Sequence, residues 1–322
     1  MVKLLNGEIM LKQDNIEQLF SVLDESSTLY AGHTQITYLE GILKTCENVL
    51  ANEILPMEDE ILQKKLFNLL DNINHQEYQK EEIRKAFQLC VLKAMKLQNL
   101  SNENITPDTI GIFIAYLVEK LLPECDKLTI LDPLVGTGNL LVTVANNLKL
   151  ASTLVGVDNN HDSYRLARAL MGMSDYNDDI YFQDTLSFEN ASAGLLVTDF
   201  PLEDFSENSY FPYDVLIHHH QNLKDDATVI IVVSDSFFDV SDNKNFKEDI
   251  LSLYLAIGLI QLPRDIFKKQ GKHILILKKK TDTTLQNENF LIAEIPSFED
   301  REEMLKVIGR INNWFDGLVK KG

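Results

Sequence analysis

Leu131-Asp132-Pro133-Leu134-Val135-Gly136-Thr137-Gly138-Asn139-Leu140-Leu141 is the stretch from which this chain is best read. It closes a short β-rich run, Leu128 to Asp132, and opens an apolar helical one, so it forms a strand-to-helix turn carrying two glycines. Ligands bind at that place in an open α/β sheet, because the carboxyl end of the strand and the N-terminus of the next helix face one crevice. Glycine lets the backbone approach a ligand with no Cβ in the way. A glycine turn can also be only a turn, so the decision rests on the strands that follow.

Val155-Gly156-Val157-Asp158 ends in an acid 20 residues beyond Gly138, where a carboxylate can accept both hydroxyls of an adenosine ribose. Tyr181-Phe182-Gln183-Asp184 again ends in an acid, suited to an adenine exocyclic amine. Three successive strand ends with Asp132, Asp158 and Asp184 point to a nucleoside cofactor. A dinucleotide site would want a third glycine where Leu141 stands, and it would put a pyrophosphate at the helix N-terminus. Asp132 would repel a pyrophosphate and attract the ammonium of a methionine moiety, which favours S-adenosylmethionine.

Around this turn the chain divides in two. From Gln13 to Leu100 apolar residues recur at helical spacing, as in Ile16, Leu19, Phe20 and Leu23 and again in Ile83, Phe87, Val91 and Ala94, which predicts about four helices. The polar run Asn99 to Asn104 marks a boundary, giving a helical domain over 1–103 and a second domain over 104–322. Thr106-Pro107 has the form of a helix start before the apolar run Ile110 to Leu122. Strand-like runs then alternate with helical ones: Leu128 to Asp132, Thr153 to Asp158, Ile180 to Asp184, Gly194 to Asp199, Ala227 to Ser234, Ala256 to Leu262 and His273 to Lys279. This predicts an α/β fold with a seven-stranded, mostly parallel, Rossmann-like sheet. Asn289 to Ile295 is a candidate further strand, and Arg301 to Lys320 a closing amphipathic helix.

The 322 residues are 45% hydrophobic and 25% charged, the balance of a globular protein and not of a disordered or fibrous one. No apolar run reaches the length of a membrane span and Met1 to Leu11 lacks a signal-peptide core, so the expectation is a cytoplasmic protein with no membrane partner. Cys46, Cys90 and Cys125 are too scattered for a disulfide framework or a metal site and are expected as buried thiols. His218-His219-His220 point about 100° apart on a helix, cannot chelate one ion together, and are expected on an exposed surface. The net charge is −19, and residues 151–250 carry 19 acids against 5 bases. A nucleic-acid binder usually shows a basic footprint. If DNA is the substrate, a separate basic or specificity partner, or the clusters Lys268-Lys269-Lys272 and Lys278-Lys279-Lys280, must compensate. As ordinary surface, those lysines form a solvated rim.

Asp132-Pro133-Leu134-Val135-Gly136-Thr137-Gly138-Asn139 resembles the S-adenosylmethionine loop of class I methyltransferases, in the N6-adenine DNA methylase-like branch related to modification subunits of type I restriction systems. Ile105-Thr106-Pro107 is similar to the segment before that loop, which helps hold the methionine end, and Leu262 to Phe267, followed by a glycine and the strand Ile274 to Leu277, resembles the late strand pair. The resemblance covers about 100–280. It implies a bacterial enzyme transferring methyl from S-adenosylmethionine to an adenine N6 in DNA, with the cofactor held by Thr106, Pro107, Asp132, Pro133, Gly136, Thr137, Gly138, Asn139, Asp158, Asn159 and Asp184, and no metal. In the family the fourth strand ends in Asn or Asp, two prolines and an aromatic. Here it reads Asp199-Phe200-Pro201-Leu202, so the acid and one proline are kept and the ring that stacks on the target base is absent. Base stacking is worth about 1–3 kcal/mol. A substitute ring would have to come from Phe200, Phe205, Tyr210 or Phe211.

Transfer from a sulfonium needs mainly a held acceptor nitrogen and stabilisation of its growing positive charge. Asp199 and the Phe200 carbonyl are the expected acceptors. Three other functions remain open: a methyltransferase with a non-DNA acceptor, a cofactor-binding protein that has lost catalysis and acts through a partner, and a nicotinamide-dependent oxidoreductase.

Overall fold

The computed structural model describes residues 11–73, 77–101, 105–122, 125–177, 179–201, 210–238, 244–267, 270–281 and 290–319. Four helices come first: α1 (Gln13–Thr34), α2 (Tyr38–Ala51), α3 (Glu60–Leu70) and α4 (Lys80–Leu97). Their starts follow from local chemistry. Thr37 caps α2 by accepting from the Glu40 N–H at 3.1 Å, and Asp59 caps α3 through the Leu62 N–H at 2.9 Å. The apolar stripes meet in a core containing Leu19, Leu23, Ile42, Phe87 and Cys90. Helices α1 and α2 touch closely at Gly41, where a Cβ would be driven into the Ser27 carbonyl oxygen. Gly41→Ala should therefore destabilise the protein by about 1–3 kcal/mol in urea unfolding, although alanine favours a helix interior by about 1 kcal/mol.

The core continues without interruption into the rest of the chain, from Phe87 through Phe113 to Leu141 and Ile230. Helix α5 (Asp108–Leu121) makes this continuity possible: every residue from Ile110 to Val118 is buried, as a helix apolar on all sides requires. Its N-cap is Pro107, and the Thr106 hydroxyl does not cap it but turns toward Asp199.

Strands β1 (Lys127–Asp132), β2 (Ala151–Asp158), β3 (Asp179–Phe182), β4 (Ala193–Asp199), β5 (Leu223–Ser234), β6 (Tyr254–Gln261), β7 (Lys272–Lys279) and β8 (Leu291–Glu294) form one sheet in the order β3-β2-β1-β4-β5-β7-β6-β8. There are eight strands where seven were expected, because Leu291–Glu294 adds to β6 in parallel. Both faces are covered, so β5 is apolar from Val229 to Val233: Ile230 and Val232 enter the core shared with the helices, and Val229, Ile231 and Val233 enter the second core. That second core also holds residues of α8 (Phe211–His219) and α9 (Lys244–Leu253). Helices α6 (Asn139–Asn146) and α7 (His161–Met173) contribute to the first core, as does the closing helix α10 (Arg301–Val319).

One reversal matters for function. Strand β7 runs antiparallel to both neighbours, so its first residue, Lys272, pairs with Ser234 at the carboxyl end of β5. A parallel strand would have put it at the opposite edge.

Three surface assignments are corrected by the fold. Cys46 and Cys90 are buried, but Cys125 is exposed. His219 is buried, with Nε2 at 2.8 Å from the Thr185 hydroxyl and Nδ1 at 3.1 Å from the Asn222 amide; burial lowers its pKa to about 4. Lys272 is not on a solvated rim, since its side chain is 5% exposed. Lys268 and Lys269 lie outside the described residues.

Candidate active site

The carboxyl ends of β1, β2 and β4 converge where the strand order reverses, between β1 and β4. The turn after β1 is pinned to β2 by the Val135 N–H on the Val157 carbonyl (3.0 Å) and the Gly136 N–H on Asp158 Oδ2 (2.9 Å). Gly136 has φ +53° and Gly138 φ +80°, both in the left-handed region that favours glycine. Nothing stands within 4 Å of where a Gly136 Cβ would be, so the backbone borders open space there.

Asp158 also accepts from the Asn160 N–H at 2.7 Å, which ties the turn to the start of α7, where Asn160 caps through the Ser163 N–H at 3.0 Å. Burial raises the Asp158 pKa, and the two backbone donors oppose the rise. Two lone-pair directions of its carboxylate remain for a ligand. Asp132 is 1% exposed and accepts from the Leu134 N–H at 3.1 Å. Burial pushes its pKa up to about 7, helped by the negative charges of Asp158 and Asp199. A carboxyl so placed would gain by meeting a cation.

Pro133 is buried, Thr137 half-buried beside the glycines, and Asn159 exposed after Asp158. Asp184 is exposed and accepts from the Leu186 N–H at 3.0 Å, one strand further out.

The other side of the crevice is built from β4 and β7. Asp199 Oδ1 accepts from Lys272 Nζ at 2.5 Å, and Oδ2 accepts from the Thr106 hydroxyl at 2.9 Å. Lys272 Nζ also donates to the Phe200 carbonyl at 3.3 Å and lies 5.4 Å from the centre of the Phe267 ring. Burial raises the Asp199 pKa, and the Lys272 ammonium and the Thr106 hydroxyl oppose it. The Phe200 ring is 2% exposed and belongs to the core below the crevice, as does the 4% exposed Tyr210 against Tyr213 and Phe237. Neither ring is placed to stack on a base. Phe211 is half-buried, Pro201 is half-buried, and Leu202 and Phe205 lie outside the described residues.

Two positions play parts the sequence reading did not anticipate. Asn139 is buried with both ends of its amide engaged: Nδ2 donates to the Thr106 carbonyl (3.1 Å) and Oδ1 accepts from Arg84 Nη1 (2.6 Å). Arg84, on α4, is fully buried and also binds Glu81, Gln88 and Asp108. A continuous polar path therefore runs from the N-terminal helices through Asn139 and Thr106 to Asp199 and Lys272.

These features fit S-adenosylmethionine: a buried carboxyl seeking a cation, a glycine backbone beside open space, and an acid at the end of β2. Residues 17–95 match the YtxK N-terminal helical domain, and residues 94–309, two thirds of the chain, match the N-6 DNA Methylase family. The uncharacterized protein YtxK of Bacillus subtilis is 29% identical over 326 residues, covering 95% of this chain and 99% of that one. A Listeria monocytogenes crystal structure assigned to the class I S-adenosylmethionine-dependent methyltransferases superposes with a TM-score of 0.85 at 28% identity, covering 94% of this chain and 100% of that one. The methyltransferase subunit of a type I restriction-modification system from Streptococcus thermophilus shares the fold, with a TM-score of 0.60 at 15% identity over 94% of this chain and 74% of that one. On the strength of the match over 94–309, the chain belongs to the N-6 DNA Methylase family, a family of S-adenosylmethionine-dependent methyltransferases.

Proposed function

We propose that this protein binds S-adenosylmethionine between Asp132, the Gly136–Gly138 turn and Asp158, and transfers its methyl group to the exocyclic amine of an adenine in DNA. One observation carries the choice of acceptor. Asp199 Oδ1 and the Phe200 carbonyl oxygen converge on a single nitrogen, that of Lys272, at 2.5 and 3.3 Å. Two fixed acceptors around one nitrogen are what an aminated base needs in order to be held and to have its growing positive charge offset.

Bound S-adenosylmethionine would supply a methyl already activated by its sulfonium. The chain's own residues do the rest. Asp132 neutralises the cationic methionine end, Asp158 takes the ribose hydroxyls, and Asp184 and Asn159 border the adenine. Thr106 orients Asp199, and Asn139 holds the backbone that carries Thr106. The acidic stretch 151–250 would repel a duplex, so a basic or specificity partner is part of this reading. No helix among the described residues is long and apolar enough to cross a bilayer.

Calorimetry should show S-adenosylmethionine binding that Asp158→Ala weakens at least about tenfold, the scale of one lost charge-assisted hydrogen bond. Labelled methyl should pass to single-stranded DNA and cease with Asp199→Ala. No binding, or transfer indifferent to Asp199→Ala, overturns the proposal. A second reading, a cofactor-binding protein without turnover, is favoured by the Phe200 ring lying in the core, which leaves the usual stacking position unfilled by that residue.

A further inference from the structure

Lysine is seldom fully buried unless its charge is met, because an ammonium taken out of water must recover its lost hydration. Lys272 meets that condition with a carboxylate, a backbone carbonyl and an aromatic face, those of Asp199, Phe200 and Phe267. Its partners are thus the very oxygens assigned above to the substrate amine. An incoming amine that is to donate to both must stand where Nζ stands. The occupant is delivered by the topology: the antiparallel course of β7 carries its first residue to the carboxyl edge of β4 and β5.

From this geometry we infer that Lys272 is an internal occupant of the acceptor-amine subsite, which keeps an adenine amine out until its side chain withdraws. This rests on the methyltransferase reading and adds to it: Lys272 decides whether the site accepts an exocyclic amine. Asp199 and the Phe200 carbonyl are then pre-aligned by a cation of the protein's own, and the resting enzyme is closed to its acceptor while its cofactor side stays accessible.

The test is calorimetric titration of 2′-deoxyadenosine into the full chain saturated with S-adenosylhomocysteine, comparing wild type, Lys272→Ala and the double variant Asp199→Asn/Lys272→Ala. The double variant keeps an acceptor oxygen at residue 199 without leaving a buried charge unpaired, so it reports even if Lys272→Ala alone does not fold. Lys278→Met controls for the loss of one positive charge from the same strand. Expected is an affinity for 2′-deoxyadenosine at least tenfold higher than wild type in each folded Lys272 variant, and unchanged in Lys278→Met. Equal affinity in wild type and the Lys272 variants overturns the inference. So does a mass spectrum showing that incubation with S-adenosylmethionine methylates Lys272, which would make the side chain a substrate. Failure of the underlying reading looks different: wild type would then not bind S-adenosylmethionine at all.

Discussion

Replacing Arg84 by methionine is expected to lower the unfolding free energy by about 3–5 kcal/mol, the usual cost of removing one member of a buried ionic cluster. Arg84 is fully buried, and its guanidinium holds Glu81 at 2.7 and 2.8 Å, Asp108 at 2.8 and 3.1 Å, Gln88 at 3.1 Å and Asn139 at 2.6 Å. Methionine would fill much of the volume but leave Glu81, 5% exposed, as a buried anion facing Asp108. Burial alone would raise the Asp108 carboxyl; the Arg84 and Lys85 cations overcome it and hold its pKa well below the usual carboxylate range. The sign of the pH dependence follows. A depressed folded-state pKa contributes stability above the unfolded value of 3.8, and that stability is lost as the pH falls through the folded value. Urea unfolding between pH 7 and pH 2 should show wild type losing stability below about pH 4 and the variant losing less. A variant as stable as wild type at pH 7 would mean that the cluster is merely tolerated. Because Asn139 holds the Thr106 carbonyl, the same variant should also weaken cofactor binding.

Asp132→Asn should move stability and binding in opposite directions. The Asp132 pKa rises from 3.8 to about 7 on folding, mainly through burial, so its ionisation opposes the folded state. Below about pH 4 the carboxyl is protonated in both states and contributes nothing. As the pH rises from about 4 to about 7 the unfolded chain releases the proton and the folded chain resists, so stability falls, by up to about 4 kcal/mol above pH 7. Asparagine has no proton to lose and can still accept from the Leu134 N–H. The variant should therefore unfold at higher urea concentration than wild type at pH 8 and at the same concentration near pH 4. It should also bind S-adenosylmethionine at least about tenfold more weakly, having no charge to offer the methionine ammonium. Equal stability at both pH values would contradict the placement of Asp132 as a buried acid with a raised pKa; undiminished binding would contradict its role toward the cofactor.

Much of this architecture was legible in the residues. The strand-to-helix turn with Gly136 and Gly138, the acids Asp132 and Asp158 at neighbouring strand ends, and the four N-terminal helices all follow from local rules: periodicity, turn chemistry and chain connectivity. Those rules concern residues close in sequence, and the α/β class with its crevice after β1 needs little more. The altered motif at Asp199-Phe200-Pro201-Leu202 was also visible, but not what surrounds it.

What depended on the tertiary structure is every feature in which distant segments share one polar atom. Lys272 reads as one of a run of basic residues, and only the antiparallel course of β7 carries it 73 positions back along the chain to the Asp199 carboxylate. Arg84 reads as one more cation on an amphipathic helix, yet its guanidinium is fully buried against Asp108 and Asn139. The physical reason is the same in both cases. Hydrophobic periodicity tells which face of an element turns inward, but which buried charge meets which is fixed by strand direction and helix docking, and no local pattern encodes those.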